Sequence, residues 1–155
     1  MVAVPLVGVI MGSASYESVV QETLNTLEQL KIDYEVRVMS AHRTPERVQE
    51  YATTARDRGI QVLISAAGGS PALGGVLASW TTLPVIGIPL TSSELNGWDS
   101  LLSTAQMPPG IPVACMAVGA WGARNAAFFA GEILGLQHEE IRQAYEDYRN
   151  QLRER

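Results

Sequence analysis

Two side chains with complementary chemistry stand next to each other at positions 42 and 43. His42 carries an imidazole that can take up or release a proton near neutral pH. Arg43 carries a planar guanidinium whose paired N–H donors match a phosphate or a carboxylate. Both lie in the run Ser40-Ala41-His42-Arg43-Thr44-Pro45. Thr44 followed by Pro45 reads as an N-cap and a first helical position, where a missing N–H costs nothing. An alternating apolar run over 34–39 precedes them and reads as a strand. The pair therefore stands at a strand-to-helix junction, the rim where open α/β sheets bind ligands. The plainer possibility is local packing, with Arg43 capping a nearby carboxylate.

Three further clusters follow the same grammar. Gly12-Ser13-Ala14-Ser15 comes after the first apolar run. Small residues there let backbone approach a ligand, and two hydroxyls with free helix N–H groups suit a phosphate. The glycine and lysine spacings of a Walker loop or a dinucleotide fingerprint are missing. A simple turn with Ser15 as N-cap would also account for the segment. Ala66-Ala67-Gly68-Gly69-Ser70 follows the third run. Its paired glycines can expose N–H groups to an anion or let a flat group come close, or can serve a tight turn. Last, residues 89–110 form a long Ser-, Pro- and Gly-rich segment, which in a compact domain is usually functional. It could close over a site or meet another subunit. Together the first three clusters place serines, an imidazole, a guanidinium and a glycine pair around one crevice: Gly12, Ser13, Ser15, Ser40, His42, Arg43, Ala67, Gly68, Gly69 and Ser70. None of this chemistry calls for a metal or a nucleotide coenzyme.

The elements that must position these residues alternate along the chain. Strands are predicted over 4–11, 34–39, 60–66, 84–88 and 111–118, most as continuous apolar runs typical of strands buried on both faces. Helices are predicted over 16–30, 45–58, 72–80 and 123–134, with one or two helical turns over 99–104. Gly59 is placed to end the second helix. Helix-length crossovers between strands imply a parallel sheet covered on both faces, in one doubly wound α/β domain spanning 1–155. Residues 138–155 add an amphipathic helix whose stripe of Ile141, Ala144, Tyr145, Tyr148 and Leu152 is expected to dock on a neighbouring subunit.

The composition narrows the function. The chain has 155 residues and a formal net charge of −5, against the basic face that nucleic-acid binding requires. Charged residues make up only 17%, and so sparsely charged a surface on a small domain suggests burial against other copies. One cysteine, Cys115, leaves no internal disulfide and reads as a buried strand residue. Two histidines and that cysteine make no zinc-ligand pattern. No apolar run reaches the length of a membrane span and the N-terminus has no signal-peptide pattern, so a cytoplasmic protein is expected.

The clusters, taken with Val9-Ile10-Met11 before the first, Thr82-Leu83-Pro84-Val85-Ile86-Gly87, Leu95-Asn96-Gly97 and Asp99-Ser100-Leu101-Leu102-Ser103, resemble the PurE family. These are the carboxyaminoimidazole ribonucleotide mutases and aminoimidazole ribonucleotide carboxylases of purine synthesis. The likeness covers residues 7–134. It implies a flavodoxin-like three-layer αβα sandwich, assembled as a homo-octamer with sites at subunit junctions. It implies a cofactor-free carboxylate transfer on an anionic aminoimidazole ribonucleotide, with CO2 or bicarbonate as a possible participant. By the same resemblance Ser13, Ser15 and Arg43 hold the phosphate end, His42 shuttles the proton on the ring carbon, and Gly68 and Gly69 border the pocket for the migrating carboxyl group.

Two positions depart from the family pattern. Tyr16 stands where the family usually has an aspartate that contacts ribose hydroxyls, and a phenol cannot accept two hydroxyl hydrogens in the same way. Ala72 stands where a second pocket histidine is usual. Both changes fall on the ligand side and leave His42 in place. Three readings stay open: the family reaction, a decarboxylase or carboxylase of a different aromatic or heterocyclic acid, and a binding oligomer without turnover.

Overall fold

In the computed structural model, which describes residues 3–154, the apolar runs become one parallel sheet. Its strands are β1 (Val7–Met11), β2 (Tyr34–Val38), β3 (Val62–Gly68), β4 (Val85–Leu90) and β5 (Ala114–Cys115), in the order β2-β1-β3-β4-β5. Six helices join and cover them: α1 (Glu17–Gln29), α2 (Pro45–Ala55), α3 (Leu73–Trp80), α4 (Trp98–Ala105), α5 (Ala120–Leu134) and α6 (Glu139–Arg153). The strand pairs are all parallel, with Val9 of β1 opposite Val36 on one side and Ile64 on the other.

Alternation along each strand splits the core in two. Val7, Val9, Val62, Ile64, Ile86 and Ile88 face α1 and α5, whose Val20, Leu27, Ala123, Ala126, Ala127 and Ala130 are buried there. The alanines let the two helices close up, and the Thr23 hydroxyl donates to the Ala123 carbonyl at 2.8 Å. Ile10, Leu63 and Val85 face the other way, onto Val48, Ala52, Leu73 and Leu77 of α2 and α3. This is the expected flavodoxin-like αβα sandwich.

Several boundaries differ from expectation for identifiable reasons. The first strand starts at Val7, because Val4 is left exposed outside the sheet. The fourth starts one residue later, at Val85, and ends two residues later, at Leu90, running through Pro89. Gly87 and Pro89 both accept through their carbonyls from the β5 side, from Met116 and Gly119. The N–H that Pro89 lacks would point the same way, where β5 has already left the sheet, so nothing is lost. The fifth strand shrinks from 111–118 to Ala114–Cys115. It is an edge strand, and beyond Cys115 the chain turns into α5, which begins at Ala120. Cys115 is accordingly half-buried rather than fully buried, and the burial it has pushes its thiol pKa up. Helix α6 packs on α5 of its own chain through buried Ile141 and through Tyr145 and Tyr148, whose rings stack on Phe128 at 5.4 and 4.6 Å. The stripe's exposed end carries Leu152. The predicted end of this helix, residue 155, lies outside the described residues.

A polar tie crosses the sheet beside β1. Tyr51 of α2 reaches over Gly8 and donates to Glu35 of β2 at 2.8 Å. A Cβ on Gly8 would lie 2.3 Å from that hydroxyl, which explains a glycine in a central strand. Arg58 also donates to Glu35 and lies over the Tyr51 ring, 4.7 Å from its centroid. Burial pushes the Glu35 carboxyl pKa up, but the bonds from Arg58 and Tyr51 outweigh it and hold the pKa below its usual value. A depressed carboxylate stabilises the fold above its unfolded pKa and loses that contribution as pH falls through its folded value. Glu35→Gln should therefore lower the unfolding midpoint at pH 7, and the gap to the parent should narrow as pH falls from about 5 towards 3. Thermal melts of both proteins across that range check it; a constant gap would refute it.

Candidate active site

The order of the strands decides where a ligand can enter. The chain leaves β1 for β2 on one side and returns to β3 on the other, so the loops after β1 and β3 diverge and leave a crevice at their carboxyl ends. The predicted clusters meet there. A cavity of about 280 Å³ is lined by Gly12, Ser13, Tyr16, Ser40, Ala41, His42, Arg43, Ala67, Gly68, Ser70, Ala72 and Leu73. A larger depression of about 820 Å³, lined by Arg56, Trp80, Thr82 and Pro112 among others, lies at the opposite ends of the strands. It gathers no histidine, and that rim is not where doubly wound sheets bind ligands.

After β1, Gly12 continues the sheet by donating to the Ala66 carbonyl at 3.0 Å. Ser13 then caps a single 3-10 turn, Ala14–Tyr16, accepting from the Ser15 amide at 3.3 Å and lying 2.8 Å from the Ser15 hydroxyl. Ser15 is thus not the N-cap of α1. Tyr16 occupies that position without a side-chain bond, because the 3-10 turn intervenes. Ser15 itself does not line the cavity and acts on it through Ser13.

After β2, Thr44 holds the N-cap position of α2 as expected, its carbonyl accepting from the Arg47 and Val48 amides, but its side chain makes no capping bond. Its hydroxyl turns back instead, accepting from the Ser40 amide at 3.0 Å and donating to the Ser40 carbonyl at 3.1 Å. The Thr44 amide gives that carbonyl a second bond at 2.8 Å, and the Arg43 amide donates to the Ser40 hydroxyl at 3.2 Å. Residues 40–44 are thereby closed into a loop whose tip holds the two reactive side chains outward. Pro45 sits in the first turn of α2 as predicted.

His42 is exposed to the cavity, and its Nε2 lies 2.9 Å from the Ser70 carbonyl oxygen. A carbonyl can only accept, so this bond puts the hydrogen on Nε2 and leaves Nδ1 of the neutral ring as the basic nitrogen. Gly69, at φ +66°, makes the turn that brings that carbonyl into place and itself lies just outside the lining. Arg43 donates from Nη2 to the Gly12 carbonyl at 3.3 Å, linking the first two loops. It caps no carboxylate: the ion pairs among the described residues join other side chains. No Asp or Glu lines the cavity, so the guanidinium stands beside a polar hollow with its remaining donors free for an anion.

Ala41 and Leu73 also line the cavity and were not anticipated. Neither residue type carries a chemical signal, and Leu73 reads as the first apolar residue of a helix. The 89–110 segment supplies Ser92, whose hydroxyl lies where a Cβ on Gly68 would need to be. It leans on the glycine pair. The described residues contain no group of His, Cys, Asp and Glu placed to hold a metal, and none of their helices is long and apolar enough to cross a membrane.

The fold defines a doubly wound α/β protein with a polar crevice at its topological switch point. Residues 6–155 match the family model described as AIR carboxylase, and the chain belongs to that family. It is 54% identical over 152 residues to the N5-carboxyaminoimidazole ribonucleotide mutase of Pyrococcus abyssi, covering 98% of this chain and 86% of that one. It is 47% identical over 150 residues to the mutase of the same name from Bacillus subtilis, covering 97% and 93%. Among solved structures, Treponema denticola PurE superposes with a TM-score of 0.83 at 29% identity, over 97% of this chain and 92% of that one.

Because the Thr44 hydroxyl closes the loop over residues 40–44, Thr44→Val should cost about 1–2 kcal/mol. That corresponds to roughly 2–4 °C in Tm per kcal/mol for a domain of this size. Calorimetry checks it, and an unchanged Tm would mean the loop is held by its backbone bonds alone.

Proposed function

We propose that this protein moves a carboxylate between the exocyclic nitrogen and a ring carbon of an aminoimidazole ribonucleotide, with His42 as the proton shuttle. The observation that carries the reading is His42 fixed at the mouth of the cavity beside an unpaired Arg43. The family membership and the mutases at about half identity support the substrate class. In this reading Arg43, Ser13 and Ser15 take the phosphate. The N–C bond of the carbamate breaks and releases CO2, and the electron pair stays on nitrogen. The ring carbon then attacks CO2, forming the C–C bond. His42 removes the proton from that carbon and returns it to nitrogen, so the net change is an isomerisation. Gly68 and Gly69 border the carboxyl group. The process needs no cofactor and belongs in the cytoplasm.

Tyr16 and Ala72 favour a second reading. Both line the cavity, which supports placing the two departures from the family pattern on the ligand side. A non-ribosyl aromatic or heterocyclic acid would then be carboxylated or decarboxylated by the same His42 chemistry. One experiment separates the readings. With the carboxyamino ribonucleotide, the parent should turn over and His42→Asn should lose about a hundred- to ten-thousand-fold in rate while keeping its circular dichroism. Turnover unaffected by the substitution would refute His42 as the shuttle. No turnover by the parent, with thermal stabilisation by non-ribosyl acids, would favour the second reading. A binding oligomer would show neither.

The same proposal includes assembly into a homo-oligomer, an octamer by family resemblance, in which α6 and the 89–110 segment meet neighbours. Its support is the sparse surface charge and a set of exposed apolar side chains: Leu95, Trp98 and Leu102 around α4, and Trp121, 78% exposed, on α5. Sedimentation at micromolar concentration should give a species larger than a dimer; a monomer would contradict it.

A further inference from the structure

The depression of about 820 Å³ at the far ends of the strands plays no part in the chemistry above. Helix ends build it, not strand ends, so the rule that places ligands over the carboxyl ends of strands does not describe it. The last turn of α2 delivers Arg56 and Asp57 to one wall, and the last turn of α3 delivers Ala78, Ser79 and Trp80. Buried Ala52, Leu83 and Val85 form an apolar floor between them.

The end of α3 is chemically unfinished. Thr81 passes straight into extended backbone, at φ −146° and ψ 154°, and its amide returns to no helix carbonyl. The C-cap amides of α1, α4 and α5 do return to their helices. Beyond α2, the amides of Arg58 and Ile60 close on the Thr54 and Ala55 carbonyls. The carbonyls of Ala78, Ser79 and Trp80 accept from no group among the described residues. Helix ends in that state are completed by water or by a ligand's donors.

The charges around this end favour a cation. The carboxyl terminus of a helix carries about half a negative charge, and two helices end on this groove. Asp57 adds a carboxylate that enters none of the ion pairs among the described residues. Arg56 is the cation already present, but it donates to the Thr82 hydroxyl at 2.9 Å and to no carbonyl, so it leaves the end of α3 unserved. Trp80 is 46% exposed and offers an indole face, the aromatic surface that best attracts a cation. A guanidinium is flat enough to stack on that face while its edge donates several hydrogen bonds at once.

We propose that this groove is a second ligand site, for a small molecule bearing a guanidinium group that stacks on Trp80, donates to the α3 carbonyls and pairs with Asp57. The site is separate from the His42 crevice and stands or falls without it.

Fluorine NMR of the full chain labelled with 5-fluorotryptophan tests it. The chain has three tryptophans, and the Trp80 resonance is the one missing from Trp80→Phe. Butylguanidinium at constant ionic strength should shift that resonance saturably and leave those of Trp98 and Trp121 in place. Its dissociation constant should be on the order of millimolar for so few atoms. Asp57→Asn should weaken binding about two- to fivefold, the usual worth of an exposed charge pair. Arg56→Gln should bind at least as tightly as the parent, because Arg56 carries the same charge as the guest. The absence of a saturable shift would overturn the proposal, as would equal binding of neutral butylurea or tighter binding of butyrate. Unchanged affinity in Asp57→Asn, or weaker binding in Arg56→Gln, would do the same. A Trp80 resonance that moves on dilution of the protein but not with the cation would mean that a second copy covers the groove, which also overturns it.

Discussion

The parallel pairing of β1 with both β2 and β3 is the constraint on which the site depends. Parallel strands put every carboxyl end on one rim, and a central strand whose neighbours are reached in opposite directions leaves a gap between the loops above it. Ser13, Ser40 and Ser70 each stand two residues past the end of one of those strands. The loops that carry them converge because the register brings the three strand ends to the same level. The buried faces of Val9, Ile64 and Ile86 hold that register, since a slip of one residue would turn each apolar side chain onto the wrong helix layer.

On this rigid rim the reactive loop is tied by short-range bonds. The Thr44 hydroxyl and amide fold residues 40–44 back on Ser40, and Arg43 reaches across to the Gly12 carbonyl. His42 is oriented from the other side by the Ser70 carbonyl, which the left-handed turn at Gly69 delivers. The imidazole is thus fixed between two loops that belong to different strands. Its position relative to the crevice is set before any guest arrives, whereas an untethered ring would spend binding energy on being positioned. The cation beside it works against the chain's overall charge of −5. With no carboxylate in the cavity wall, the guanidinium's field is not cancelled locally, and nearby charges outweigh distant ones screened by solvent.

What could be read in the sequence follows from which interactions are local. β1, β3 and β4 were legible because strands buried on both faces are continuous apolar runs. The loops after them were legible because Gly, Ser, His and Arg at strand ends have few structural reasons to be there. The extension of β4 through Pro89 was not, since a proline ends a strand only when its missing donor would have been needed. The Thr44 hydroxyl was assigned to the helix it precedes, the commoner local choice, whereas the five-residue loop claimed it. The length of β5 depends on where its partner β4 still offers bonds, which is a tertiary fact.

Tyr16 and Ala72 take different places in the folded chain. Tyr16 ends a 3-10 turn just before α1 and lines the crevice beside Ser13. Its phenol can donate only one hydrogen, which limits the polar contacts that stretch of wall can offer. Ala72 lies on the boundary between the crevice and a smaller cavity behind it. A bulky polar side chain at that point would have to occupy one space or the other, while a methyl leaves both open.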